Sequence, residues 1–224
     1  MRTQSRRDVP VVRRWKVDLG VIAVSLAVLG LCVAVASGPL TDVEETLFRK
    51  VNGLPEGLFP LIWPLMQYGT FVTIPLLSLV AFAFRRWRLG VAMLVAGVGV
   101  YLVAKVLKEI VSRGRPGGLL DDVNSHESFA AGSLGFPSGH AAVSAALTAV
   151  AFAFLPRRVA LFALVVAVVV MFGRMYVGAH LPLDLVGGAA LGAIAGSLAN
   201  LLVGVPSSDA PAASADQDLR LFAP

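Results

Sequence analysis

Six apolar runs, at approximately 19–37, 59–84, 89–107, 138–155, 159–177 and 183–203, leave this chain few ways to fold. A helix rising 1.5 Å per residue needs about 20 residues to cross a hydrocarbon core of roughly 30 Å. Each run meets that length, the fourth and fifth at the short end. One such run could be a core helix of a water-soluble protein. Six in 224 residues leave almost no chain to bury them. Apolar residues make up 57%, charged residues 15%, and the mean hydropathy is +0.78, too little charge to coat a soluble surface and too apolar for disorder. The expected fold is all-α: a polytopic membrane protein with six transmembrane helices in one bundle.

The connections alternate in charge. Arg2, Arg6, Arg7, Arg13, Arg14 and Lys16 lie before the first run. Arg85, Arg86 and Arg88 fill the second connection, Arg157 and Arg158 the fourth, and Arg220 the final tail. Asp42, Glu44, Glu45 and Glu56 dominate the first. Lys- and Arg-rich short loops stay cytoplasmic. Both termini are therefore expected inside, with connections one, three and five facing outward from the cytoplasmic membrane. The basic amino-terminal tail suits anionic lipid, and nucleic acid is not an expected partner.

Residues 1–18 read as a basic cytoplasmic tail, 19–203 as one membrane domain, and 204–224, rich in Ala, Ser, Asp and Pro, as a disordered cytoplasmic tail. Ala34-Val35-Ala36 has the small-residue pattern of a signal-peptide cleavage site, but the run before it exceeds the usual core of about 7–15 residues, which favours an uncleaved anchor. The lone cysteine, Cys32, is read as apolar filler. The second run is expected to start at Pro60 or Pro64 and to kink near Pro75. Gly188, Gly192 and Gly196, spaced by four, favour close helix packing within the chain over a dimer face.

Polar residues gather at one end of the apolar runs, where they are expensive and tend to mark function. Lys108 closes the third run, and Arg113, Arg115 and Pro116 follow. Pro137-Ser138-Gly139-His140 opens the fourth; Arg174 closes the fifth; His180 and Asp184 bracket the start of the sixth. Ser138 and Gly139 leave amides free at a positive helix end, which suits an anion. Lys108, Arg115 and Arg174 supply fixed positive charge for a phosphate and its transition state. Asp184 is placed to hold one imidazole nitrogen of His180 and leave the other nucleophilic. His140 is placed to protonate a leaving oxygen. Alone, each element is a helix cap or a snorkelling cation, as Lys105 is read. Their joint order and common depth are specific.

Together, Lys108–Arg115–Pro116, Pro137–Ser138–Gly139–His140 and Arg174–His180–Asp184 resemble the three-part signature of the type 2 phosphatidic acid phosphatases, or lipid phosphate phosphatases. The resemblance covers about residues 59–203 and is of the bacterial integral-membrane kind. It implies that His180 attacks phosphorus to form a phosphohistidine, that Asp184 orients it, and that His140 protonates the leaving group and then activates water. It also implies that Lys108, Arg115, Ser138, Gly139 and Arg174 hold the phosphate, without metal or other cofactor. Gly173 stands where the family usually has Ser, which predicts the loss of one phosphate hydrogen bond.

The implied substrate is a membrane lipid phosphate: a polyprenyl pyrophosphate, phosphatidic acid or phosphatidylglycerophosphate. No obligate protein partner is evident. Vanadate-dependent haloperoxidases share similar motifs, but six apolar spans argue against that reading. A non-catalytic lipid-phosphate binder or transporter on the same fold is the rival class, yet transporters place ionisable groups near the midplane and here they gather at one end. Asp121, Asp122, His126 and Glu127 could together hold a hard cation; a solvated loop is the favoured alternative.

Overall fold

The apolar runs become helices in the computed structural model, which describes residues 11–128 and 132–206. Four are long and apolar enough to cross a membrane: α1 (Trp15–Ala36), α5 (Trp87–Val111), α7 (Arg157–Tyr176) and α8 (Pro182–Val203). Their outward faces are apolar, with Leu31, Val106, Phe162 and Leu202 all more than half exposed. Such surface is stable only against lipid. The chain is an integral membrane protein.

The remaining two runs depart from uniform spans. The second is broken: α3 (Phe59–Met66), flanked by short 3-10 turns, and α4 (Thr73–Ala83) form a pair bent by 68°. Pro60 starts α3 as expected, Pro64 lies inside it, and the bend falls at Gly69–Val72, not at Pro75. The Gln67 carbonyl accepts the Thr70 amide at 3.0 Å and the Thr70 and Thr73 hydroxyls at 2.8 and 2.5 Å, so side chains reinforce the turn at the break. A Cβ on Gly69 would lie 2.7 Å from the His140 carbonyl, so the break lets the chain pass against the start of α6. The fourth run, α6 (Gly139–Phe154), has only 16 residues, about 24 Å of helix. Pro137 lies two residues before it, after a cis Phe136–Pro137 bond, and Ser138 is the N-cap.

An unexpected helix occupies the first connection. In α2 (Asp42–Asn52), Thr41 caps the Glu44 amide, acids fill the first turn, and Arg49 and Lys50 fill the last. Both charge placements suit the helix dipole.

Helix α8 is central, packed on α1, α5 and α6. A Cβ on Gly188 would lie 2.5 Å from the Ser138 carbonyl, and one on Gly196 2.6 Å from Ala149 Cβ; Gly192 faces the Ala142 carbonyl. The small-residue stripe thus serves packing within the chain. It brings the first turns of α6 and α8 together, where the Ser138 amide donates to the Asp184 carbonyl at 2.8 Å. At the other end, Asn200 donates to Asp18 on α1 and to the Ala149 carbonyl, both at 3.3 Å.

The short strands β1 (Val11–Val12) and β2 (Val205–Pro206) pair antiparallel, so the two ends of the domain lie side by side. Val205 and Pro206, which begin the tail expected to be disordered, are ordered in this pairing. Arg2, Arg6, Arg7, Arg220 and the rest of 207–224 lie outside the described residues.

Candidate active site

The ends of α5, α6, α7 and α8 opposite the termini carry Lys108, Ser138, His140, Arg174 and Asp184, and the adjoining loops carry Arg115 and His180. Three segments spread over residues 108–184 thus converge. Lys108 lies in electrostatic reach of Arg115, Arg174 and Asp184. Arg174, Arg115, Lys108 and His180 all act on His140.

His180 and Asp184 are buried, at 2% and 0% exposure. Asp184 Oδ2 lies 3.4 Å from His180 Nδ1, a close charge contact without hydrogen-bond geometry, and accepts the Leu181 amide at 2.9 Å. Burial, then the charges of Arg174, Lys108 and Arg115, hold the His180 imidazole well below its ordinary pKa. Those surroundings favour the neutral imidazole over the imidazolium.

Each cation is fixed by a neighbour. Lys108 Nζ donates to the Leu134 and Gly135 carbonyls, both at 2.9 Å. Arg115 donates to the Ala179 carbonyl at 3.0 Å, and Arg174 to Glu127 Oε2 at 2.8 Å. The Ser138 hydroxyl accepts the Ala141 amide at 3.4 Å, and the first turn of α6 presents the amides of Gly139 and His140 at its positive end. An open cavity of about 770 Å³, lined by Arg115, Gly117, Gly118, His126, Glu127 and Gly178 among others, adjoins this cluster.

The four loop residues weighed as cation ligands do not converge. Asp121 and Asp122 are exposed, Glu127 pairs with Arg174, and the His126 ring is stacked between Phe59 and Tyr176, with centroids at 5.9 and 4.6 Å. Gly173 also reads differently in three dimensions. A Cβ there would lie 2.6 Å from Met66 Sδ and 2.7 Å from Ile62 Cγ2, so its side-chain direction is toward α3. The glycine answers a packing need, and the expected loss of a phosphate hydrogen bond does not follow from this geometry.

Sequence reasoning missed Glu44 as a site residue and gave Arg113 no role. The Arg113 guanidinium donates to Glu44 Oε1 and Oε2 at 3.1 and 2.6 Å, and to Asp184 Oδ1 at 3.3 Å. All three side chains are at most 6% exposed. Burial opposes the Arg113 charge, but the two carboxylates outweigh it and raise its pKa above the ordinary guanidinium value. Losing one partner of such a buried pair costs about 3–5 kcal/mol. Thr41-x-x-Glu44, a helix-start pattern, was the available signal for α2; nothing local pointed to Arg113.

Fold and site together define a helical membrane protein with a histidine–aspartate pair among cations at one bundle end. The PAP2 superfamily model matches residues 85–205, more than half of the chain, and the chain belongs to that superfamily. An undecaprenyl-diphosphatase from Sulfolobus acidocaldarius is 27% identical over 129 residues, 57% of this chain and 62% of the relative, so the match spans less than two thirds of that protein. Among solved structures, Aquifex aeolicus LpxE superposes with a TM-score of 0.65 at 24% identity, over 71% of this chain and 95% of its own. The PAP2-type phosphatidylglycerolphosphate phosphatase of Bacillus subtilis gives 0.59 at 20% identity, over 92% and 98%. At those identities the likeness is one of fold.

Proposed function

We propose that this protein removes phosphate from a membrane lipid phosphate without a metal, through a phosphohistidine on His180. The observation that carries this reading is the convergence of Lys108, Arg115 and Arg174 on a buried His180–Asp184 pair. Three cations provide the charge neutralisation that Mg²⁺ provides in other phosphoryl transfers. His180 Nε2 attacks phosphorus while Asp184 faces Nδ1. The bond from phosphorus to the lipid oxygen breaks, and His140 gives that oxygen a proton. The arriving phosphate brings the negative charge that stabilises a proton on His140. Water then attacks the phosphohistidine, His140 takes its proton, and inorganic phosphate leaves.

The relatives suggest the substrate class: a polyprenyl diphosphate, a phosphatidylglycerophosphate or another lipid phosphate, the headgroup seated in the cavity beside Arg115. The test is phosphate release by purified protein in detergent from undecaprenyl diphosphate, phosphatidic acid and phosphatidylglycerophosphate, each in excess EDTA. Release from at least one, undiminished by EDTA, is expected. Loss of activity with EDTA, restored by Mg²⁺ and dependent on Asp121 or Glu127, would overturn the metal-free reading.

We read α1, the bent α3–α4 pair, α5, α6, α7 and α8 as six crossings, an even number that agrees with the paired ends. The Arg-rich second and fourth connections argue that those ends are cytoplasmic and that the site opens outward. A single cysteine at Asn124, after replacement of Cys32, should react with a membrane-impermeant thiol reagent in intact spheroplasts. Labelling only after lysis would reverse the orientation.

A further inference from the structure

We propose that Glu44, on α2 and outside the region matched by the superfamily, is a positioning residue of the reaction, acting through Arg113 on Asp184 and thereby on His180. The inference rests on the phosphatase reading above.

Glu44, Arg113 and Asp184 are buried and joined by hydrogen bonds. Glu44 is 4% exposed, its two oxygens engage both terminal nitrogens of Arg113, and Oε1 also accepts the Leu183 amide at 3.2 Å. Glu44 therefore holds both the guanidinium and the first turn of α8. Arg113 Nη1 in turn binds Asp184 Oδ1, leaving Oδ2 for the Leu181 amide and His180 Nδ1. With Oδ1 tied to Arg113 and Oδ2 to the Leu181 amide, the carboxylate plane of Asp184 is set. The Gly135 backbone also hydrogen-bonds His180, but the Asp184 charge 3.4 Å from Nδ1 favours a proton on that nitrogen. The neighbouring charges make this restraint necessary. Lys108 on α5 attracts Asp184, as does Arg115 in the following loop. Arg113 unrestrained by Glu44 would be free to leave Asp184, and Asp184 free to turn toward those cations.

A plain structural staple would hold α2 to α8 without touching the chemistry, so the test needs readouts that a staple does not move. Glu44→Gln keeps the shape and removes the charge. It should lower kcat about 10- to 100-fold, the usual range for a supporting partner, with KM changed less than about threefold. In an Asp184→Asn background, adding Glu44→Gln should change kcat less than about twofold, because Glu44 acts through Asp184. Losses that multiply in the double variant would overturn the proposal. The sequence has three histidines, so ¹⁵N-histidine NMR of the detergent-solubilised protein can follow His180 beside His126 and His140. Wild type should show the Nδ1–H tautomer of His180, and Glu44→Gln a mixture. An unchanged tautomer in folded Glu44→Gln would refute the positioning role. Should that variant not fold, Glu44→Asp, which keeps the charge and withdraws the carboxylate, takes the same measurements with the same expected directions. A wild type inactive on every lipid phosphate would defeat the phosphatase reading, and the tautomer comparison would still decide the role of Glu44.

Discussion

Replacing His180 with Ala is expected to reduce phosphate release about 10⁴-fold or more, while the protein remains inserted and folded. No neighbour offers a substitute nucleophile: His140 sits on α6, and Lys108 is tied to the Leu134 and Gly135 carbonyls. The pH profile carries the same assignment. Because His180 is held below its ordinary pKa, protonation disables it only well below pH 6.5. The acid limb of kcat should therefore not fall at the pH where a free imidazole titrates. Near-normal turnover by His180→Ala, measured as phosphate release on the best substrate, would remove the covalent step from the mechanism.

The second large effect concerns His140. His140→Ala should lose about 10²- to 10⁴-fold on a lipid substrate, the range for a missing general acid. The loss should shrink markedly for p-nitrophenyl phosphate, whose leaving group departs without a proton. Equal losses on both substrates would mean that His140 does something other than protonate the leaving oxygen.

Much of this arrangement is legible in one dimension, for separable reasons. Apolar length is a local property, so α1, α5, α7 and α8 fall where their runs are, within a few residues. Helix ends are marked locally too: Ser138 before α6 and Pro182 at the start of α8 are capping signals, and they put the motif residues at one depth. The spacing of Gly188, Gly192 and Gly196 announced a close approach, and α6 is what approaches.

What escaped depends on contacts across the fold. Glu44 and Arg113 are 69 residues apart, and in sequence each is an ordinary loop charge. Only packing α2 against α7 and α8 buries them and makes their pairing obligatory. Gly173 could be compared with a motif but not with Met66 and Ile62, which decide what fits there. The kink expected near Pro75 in the second run falls just before Thr73 instead, because hydropathy does not locate a bend. Its position is dictated by the backbone of His140 lying against Gly69, with Thr70 and Thr73 on hand to reinforce the turn.

The covalent intermediate is the claim on which the rest depends, and it can be trapped. Purified protein is mixed with ³²P-labelled lipid phosphate, quenched in alkali within the first turnover, and digested. Label should appear on the peptide carrying His180, stable to base and lost in acid as expected of phosphohistidine, and it should be absent from His180→Ala. With ³²P-labelled p-nitrophenyl phosphate, label should accumulate further in His140→Ala, where water is no longer activated. No protein-bound label in an enzyme that is turning over, or label that survives in His180→Ala, would contradict the account.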